Sequence, residues 1–200
     1  NPSITDLNAI AAKTSGVVTA TLAADSLSNL GALSTAGTDA ITITVNDAAE
    51  ADVTAANLST LGGKTAGTVT VSNAVDIAGT AAQLTAALVT ADTLVVASTA
   101  TATISDAAET DIAATVLSAI GAKTSGAVTA TNAIDIAGTA AELTAALVTD
   151  DTKVVASTAT ATISDAAETD IAATVLSAIG AKTSGTCLLY TSPSPRDVSL

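Results

Sequence analysis

The sequence contains no histidine, phenylalanine, tryptophan or methionine, and only one cysteine and one tyrosine among its 200 residues. Without histidine, the abundant serines and threonines lack the usual base that would activate a nucleophile. One cysteine cannot form a disulfide framework, and zinc sites need histidine or cysteine ligands. We therefore expect no catalytic, cofactor-binding or metal-binding residues, and we predict that the chain is not an enzyme.

Positive charge is also scarce. Six lysines and arginines stand against 19 aspartates and glutamates, which gives a net charge of −13. This balance argues against nucleic acid and against anionic membrane surfaces, both of which attract clustered basic residues. No apolar run approaches the roughly 20 residues of a spanning helix. The chain opens at Asn1-Pro2 without methionine, so we interpret it as an internal fragment in which a signal peptide cannot be judged.

Tandem repeats organise the chain. The segment 95–126 recurs letter for letter at 154–185, and a diverged earlier copy has the same offset, which is the period of the repeat. The interval from Lys13 to Lys64 is shorter than this period by the length of the segment 72–79, which predicts that one strand and one turn are lost from the first copy. The predicted divisions are 1–44 (shortened first repeat), 45–103 (second module), 104–162 (third module), 163–186 (truncated fourth repeat) and 187–200 (tail).

The tail breaks the repeat. After Gly185 the pattern predicts AVTATNAIDIAG, but the chain reads TCLLYTSPSPRDVSL. Residues 187–197 resemble, letter for letter, one translated reading frame of a transposase sequencing adapter. We therefore interpret 187–200 as an adapter-derived, non-native tail and assign Cys187 no role as a nucleophile or ligand. Such a join is typical of a fragment from environmental sequencing.

Each module is predicted to contain two units of strand plus helix. Helix-start signals recur at alternating long and short intervals, at Asp47, Thr80, Asp106, Thr139 and Asp165. The sequences TAAQ at 80–83, DAAE at 106–109 and TAAE at 139–142 each resemble a capping box. After Asp106, apolar residues fall on one helical stripe, namely Ile112, Ala113, Leu117 and Ile120. The sequence GAKTSG at 121–126 is then expected to end the helix.

Between these helices the apolar period changes to two. Val69 and Val71 are separated by one polar residue before a predicted bend at Asn73, and Val75 and Ile77 are separated by one polar residue after it. The segment 152–164 is rich in valine and threonine, as strands are. Short strands that alternate with helices indicate parallel pairing. We therefore predict an α/β fold that forms an open solenoid of short parallel strands and helices, with a mainly β-solenoid as the alternative.

Two short motifs could suggest chemistry, but neither is retained between modules. The acidic pair Asp150-Asp151 is Ala91-Asp92 in the preceding module, which favours a solvated turn over an acid–base pair. The sequence GGK at 62–64 becomes GAK in later copies, so we interpret it as a helix end and not as a phosphate-binding loop.

Two binding functions remain as alternatives. The acidic turns could bind calcium, which takes oxygen ligands, although the nonapeptide calcium repeat G-G-x-G-x-D is absent. A regular hydroxyl face could instead bind ice or another lattice. The threonine pairs that suggest it are Thr19-Thr21, Thr42-Thr44, Thr68-Thr70, Thr99-Thr103, Thr129-Thr131 and Thr158-Thr162.

The alternating segment ISDAAETDIAATVLSAIGAKTSGAVTATNAIDIAGTAAELTAAL resembles the Ala/Thr/Asp-rich tandem repeats of very large bacterial and cyanobacterial secreted surface proteins. The resemblance covers residues 4 to 185, and it is one of composition and period without a diagnostic site. It implies a secreted or cell-surface spacer or display segment, adhesin-like and without catalysis, whose partners are the neighbouring repeats of the same chain. The alternative function is a calcium-binding or ice-binding repeat module.

Overall fold

The computed structural model describes residues 1–166 and 169–189, and it places seven α-helices and thirteen strands among them. The helices are α1 (Ile4–Ala11), α2 (Leu27–Leu30), α3 (Ala55–Gly62), α4 (Ala81–Leu84), α5 (Ala114–Gly121), α6 (Ala140–Leu143) and α7 (Ala173–Gly180). Two π-helical segments, Thr85–Val89 and Thr144–Val148, continue α4 and α6, and a 3-10 turn lies at Ala91–Thr93.

The strands are β1 (Thr19–Thr21), β2 (Ala40–Val45), β3 (Asp52–Thr54), β4 (Val69–Val71), β5 (Asp76–Gly79), β6 (Val95–Val96), β7 (Thr101–Ile104), β8 (Asp111–Ala113), β9 (Val128–Ala130), β10 (Asp135–Gly138), β11 (Val154–Val155), β12 (Thr160–Ile163) and β13 (Cys187–Leu189). They form three open sheets, ordered β1-β2-β4-β6, β3-β5-β7-β9-β11 and β8-β10-β12-β13. Every strand pairing given for these sheets is parallel. The predicted α/β class with parallel strands is confirmed.

Neighbouring strands in a sheet are separated by one short stretch of chain. In the five-stranded sheet Asp52 aligns with Asp76, and Asp76 aligns in turn with Thr101. Val128 aligns with Val154 in the same manner. A helix or a second strand always intervenes, as parallel pairing requires. The chain therefore advances by one strand position for each such stretch, which we call a coil.

Long and short intervals between successive helices alternate and together make one period of the repeat. The interval from α3 to α4 holds two strands, β4 and β5, whereas the longer interval from α4 to α5 holds three, β6, β7 and β8. Strand β7 pairs with β5 on one side and β9 on the other, whereas β8 begins the next sheet by pairing with β10. The additional strand of the longer interval therefore starts a new sheet.

Alternation in the strands produces the core. Val69, Val71, Val75 and Ile77 are all buried, while Thr70 lies partly exposed between the first two. The predicted bend at Asn73 lies between β4 and β5. Because successive side chains in a strand point to opposite faces, one face of each strand joins the core and the other faces outward.

Small residues bring the helices close to the sheets. A β-carbon added to Gly138 in β10 would lie 3.0 Å from the β-carbon of Ala114, the first residue of α5, and Gly79 and Ala55 make the equivalent approach at 2.9 Å. Leu117 of α5 is fully buried. Alanine and glycine at these contacts therefore permit a helix to pack directly on a strand end.

The capping predictions were correct at threonine and wrong at aspartate. Thr80 with Gln83, and Thr139 with Glu142, form reciprocal capping boxes at α4 and α6. Asp106 does not cap α5, because that helix begins only at Ala114. The predicted start signals at Asp47 and Asp165 fail likewise, since α3 begins at Ala55 and α7 at Ala173.

The error at Asp106 has a structural cause. The residues after it turn through Glu109, which has a left-handed backbone with φ of 63°. The chain then forms β8, in which Ile112 is buried as a strand residue and pairs with Ile136. Strand pairing with β10 therefore outweighs the local helix signal of DAAE, and Ile112 and Ala113 lie before the helix on which they were predicted.

The first repeat lacks one strand, as its shorter interval predicts. Between β1 and α2 the structure has only one isolated bridge, from Asp25 to Val45. The equivalent interval in the later copies holds a four-residue strand, β5 or β10. The helix that follows this strand in the later copies is still present in the first copy, as the four-residue helix α2.

Candidate ligand-binding face

Each predicted threonine pair has at least one member in a strand, several of which align between strands, whereas Thr99 and Thr158 lie in turns. Thr21 aligns with Thr42, Thr44 with Thr70, and Thr103 with Thr129. Residues that alternate with them along the strands are buried, such as Ile43 between Thr42 and Thr44. Aligned hydroxyls therefore form short rows across the sheets.

Apolar side chains interrupt two of these rows. Thr70 is followed by Val96 on the next strand, and Thr129 by Val155. These two valines are each about half exposed, at 47% and 48%. On β5 the position beside Thr103 is Ala78. The row of Thr103 and Thr129 is therefore only two residues long, which is short for a regular lattice-binding face.

Aspartates form a second outward row. Asp52 aligns with Asp76 at the start of β3 and β5, and Asp111 aligns with Asp135 at the start of β8 and β10. The hydroxyl of Thr101 donates to the Asp76 carboxylate at 2.8 Å. The arrangement offers oxygen ligands, but within residues 1–166 and 169–189 no three acidic, histidine or cysteine side chains come together as a metal site would require.

The acidic turns instead bind the backbone of the preceding coil. The Asp106 carboxylate accepts a hydrogen bond from the N–H of Ala81, the first residue of α4, at 2.6 Å. Equivalent bonds to helix starts are Asp165 with Ala140 at 2.6 Å and Asp47 with Leu27 at 2.7 Å. An anionic acceptor at a helix N-terminus is favourable because the first N–H groups have no partner within the helix. These aspartates are therefore structural caps between coils.

Sequence reasoning missed this role, although a signal for it exists. Asp106 lies 25 residues after Ala81, which is the spacing at which Thr101 meets Asp76 on the paired strand. Side chains separated by one coil can therefore meet. Asn132 shows the same relation, since its side-chain amide donates to the Asp106 carbonyl at 2.6 Å. A search for polar pairs at the spacing of paired strands would have connected these residues.

Asp25 in the first copy has a perturbed acidity. The side-chain amide of Asn29 donates to its carboxylate at 2.8 Å, and the N–H of Ser26 donates at 2.8 Å. These two hydrogen bonds, Asn29 first, lower the pKa of Asp25 below its ordinary value because they stabilise the charged form. The same two hydrogen bonds connect Asp25 to the N-cap and to the third residue of α2.

The two remaining motifs occupy turns. Asp150 and Asp151 are exposed in the turn that follows the π-helical segment after α6. Residues 62–64 are the end of α3 and the turn after it, and the Lys64 Nζ donates to the carbonyl of Gly31 at the end of α2, 2.7 Å away. The interpretation of GGK as a helix end is confirmed.

An apolar cleft of about 450 Å³ lies where a new sheet begins. It is lined by α4 and by the first strand and helix of the next module, and its apolar wall includes Ala82, Ile112 and Val116. Asp106 and Asp111 stand at its polar side. The cleft could hold a small apolar group, but its lining residues do not suggest a chemical reaction.

Comparison with known proteins identified no matching protein-family model, curated protein or solved structure. In residues 1–166 and 169–189, no helix has the length and apolar character needed to cross a membrane.

Proposed function

We propose that this chain is a structural repeat segment, an open solenoid that serves as a spacer or display element of a large extracellular surface protein. The observation that carries the proposal is that strands pair with those of the adjacent coils in all three sheets. Thr19 aligns with Ala40, Asp76 with Thr101, and Ala161 with Cys187. Contacts of this kind stay between neighbouring coils, so modules can be added without changing those already present.

Cross-coil hydrogen bonds support the same proposal. Asp106 binds the N-terminus of α4, and Lys64 binds the C-terminal carbonyl of Gly31. The buried hydroxyl of Thr65 accepts from the Ile41 N–H at 2.8 Å and donates to the Asp39 carbonyl at 2.9 Å. Polar side chains thus join one coil to the next, as an extended spacer needs.

The outward faces suit display in water. They carry threonine hydroxyls and aspartates, and the net charge of −13 opposes aggregation. The resemblance to secreted surface repeats supports a secreted or cell-surface location and a role related to adhesion. The neighbouring repeats of the same chain are the partners that the pairing favours.

Calcium binding is the second candidate, and it rests on the aligned aspartates. Asp52 beside Asp76, and Asp111 beside Asp135, place two carboxylates on adjacent strands at the same position of successive modules. Calcium would neutralise such like-charged neighbours. The ice-binding alternative has less support, because valines end two of the threonine rows.

The sequence that flanks this segment tests the proposal. A long-read sequence of the source gene should show a secretion signal and many further modules of the same period. A short reading frame in which this segment adjoins a catalytic domain would contradict the spacer function.

A further inference from the structure

The apolar cleft beside α4 lies in the interior of the chain, at the junction of the second and third modules. One wall is α4 with the π-helical segment after it, where Ala82 is exposed and Ala86 is partly exposed. The other wall is β8 with the start of α5, where Ile112 is buried and Val116 is partly exposed. The cleft volume of about 450 Å³ lies within the range of small-molecule sites. Small side chains on α4 therefore leave an apolar space that the body of a ligand can occupy.

The charged residues that line this cleft are two aspartates, Asp106 and Asp111. The Oδ2 atom of Asp106 accepts the 2.6 Å hydrogen bond from the Ala81 N–H, and the Oδ1 atom lies outside that bond. Asp111 is exposed at the start of β8. The turn between the two aspartates contains Glu109 with its left-handed backbone, and the residues on either side of this turn line the same cleft. Negative charge is therefore concentrated at one side of an apolar space.

This combination favours a ligand with a cationic head and an apolar body. Calcium takes roughly six to eight oxygen ligands, and a bare metal ion would gain little from walls made of methyl groups. A neutral apolar molecule would gain from the walls but not from the carboxylates. An ammonium group presents several N–H donors to carboxylate oxygens, and the net charge of −13 attracts cations toward the surface. A small organic ammonium ion therefore uses both features of the cleft.

The residues that line the cleft recur one period later and differ in the first copy. Asp170 and Val175 are the later counterparts of Asp111 and Val116. In the first copy the third residue of the corresponding helix, α3, is Asn57, whereas in α5 it is Val116. Asn57 is exposed within a complete helix, so asparagine is compatible with this helix position and makes the wall polar. The first copy thus provides the substitution that tests the apolar wall.

We propose that this cleft is a binding site for a small organic ammonium ion. The ammonium group lies against the carboxylates of Asp106 and Asp111, and the apolar body lies between Ala86 and Val116. This inference goes beyond the spacer function and does not depend on it. Because the lining residues recur in the sequence, each added copy of 104–162 adds one site of the same kind.

Ligand-detected NMR with phenethylammonium chloride tests the proposal on the full chain. The chain has no phenylalanine or tryptophan and one tyrosine, so protein signals scarcely overlap the aromatic signals of the probe. We expect saturable binding to the wild-type chain. Binding to Asp111→Asn with Asp170→Asn should be weaker by about threefold or more, since the charge pairs are partly solvated. Val116→Asn with Val175→Asn should weaken binding by a similar factor, because apolar contact is lost.

Two controls separate the cleft from general attraction between opposite charges. Asp150→Asn with Asp151→Asn removes the same number of charges from an exposed turn and should bind the probe as the wild-type chain does. The neutral alcohol 2-phenylethanol has the same apolar body as the probe and should bind more weakly. Circular dichroism checks that each variant keeps the fold.

Four results would overturn the proposal. They are no saturable binding to the wild-type chain, equal binding of 2-phenylethanol, equal affinity of the Asp111 and Asp150 double variants, and unchanged affinity of the Val116 double variant. The first would show that the cleft is not a site, the second that the carboxylates play no part, and the last two that the attraction is not specific to the cleft. The spacer function is tested separately by the flanking gene sequence, so the two ideas can fail independently.

Discussion

The carboxylate of Asp106 accepts a 2.6 Å hydrogen bond from the backbone N–H of Ala81, 25 residues earlier in the chain. The same bond joins Asp165 to Ala140 in the next module and Asp47 to Leu27 in the preceding one. Each bond connects the loop of one coil to the start of a helix in the coil before it. The stability of a helix therefore depends on a residue from a different coil.

Replacing Asp106 with alanine should destabilise the protein. The substitution removes a charged acceptor from the first N–H of α4, and we expect a loss of about 1–2 kcal/mol in the free energy of unfolding. Asp106→Asn keeps an acceptor and should cost less. Urea unfolding measures both variants. The exposed turn residue Asp150 provides the control, and an equal loss in Asp150→Ala would contradict a specific capping role.

The backbone at Glu109 predicts a stabilising substitution. Its φ of 63° lies in the left-handed region, which costs a residue with a β-carbon about 1–2 kcal/mol. Glycine avoids this cost but loses more entropy on folding, so Glu109→Gly should raise the free energy of unfolding by roughly 0.5–1 kcal/mol. Glu109→Ala removes the same charge and keeps the β-carbon. If both variants gain equally in urea unfolding, charge and not backbone conformation explains the effect.

The contrast between TAAE and DAAE shows what could be predicted from the sequence. At Thr139 the partner Glu142 is three residues away, so a local pattern was sufficient to predict the capping box. At Asp106 the partner is Ala81, in another coil, and local patterns assigned the aspartate to the wrong helix. The α/β class with parallel strands, the bend at Asn73 and the missing strand were predicted because each depends on periodicity that is visible along the chain.

The π-helical segments could not have been predicted in the same way. The hydroxyl of Thr93 donates to the carbonyl of Ala87 at 3.0 Å, and Thr152 binds Ala146 in the same manner at 2.8 Å. These bonds satisfy carbonyls of each segment from the turn that follows it. The sequence TAALV alone contains no sign of that turn, and it is typical of ordinary helix.

Calcium provides a test of the alternative function. The aspartate pairs concerned are Asp52 with Asp76 and Asp111 with Asp135. If these pairs only interact with solvent, millimolar calcium should change the melting temperature no more than magnesium does at equal ionic strength. A calcium-specific rise that disappears in Asp111→Asn with Asp135→Asn would favour a binding module instead, because a ligand that prefers the folded state stabilises it by mass action. Scanning calorimetry at several calcium concentrations distinguishes these outcomes.

The solenoid proposal also predicts that each added module lengthens the folded particle by a small and constant distance. Strands β5, β7 and β9 occupy successive positions in one sheet, and the chain then reaches β10, the equivalent of β5 in the next module, so one period advances by about two strand positions. Adjacent strands are about 4.7–4.9 Å apart, so each added module should lengthen the particle by about 10 Å. An unfolded insert of the same length could extend to roughly 200 Å. Small-angle X-ray scattering of chains with one and two added copies of 104–162 measures the increment, and a much larger one would contradict stacked coils.

Deletion of residues 104–162 tests the architecture most directly, because the structure defines the join. Thr103 then precedes Ile163, which restores the TATI sequence shared by β7 and β12. The hybrid strand can pair back with β5, since Asp76 aligns with Thr101 just as Asp135 aligns with Thr160. It can pair forward with β13, which occupies the position of β9. Every remaining coil keeps a neighbour of the kind it had.

The shortened chain should therefore fold with the same helix content per residue by circular dichroism. Its free energy of unfolding and its urea m-value should both fall, because one module and one interface between coils are removed and repeat energies are approximately additive. Deleting residues 90–148 provides the control, because it removes one period in a different phase, joins Val89 to Thr149 and should be tolerated equally well. A domain with one closed core would respond differently, since loss of its strands and helices would expose the rest of that core. An aggregated or disordered product from both deletions, with the parent chain well folded, would contradict the solenoid.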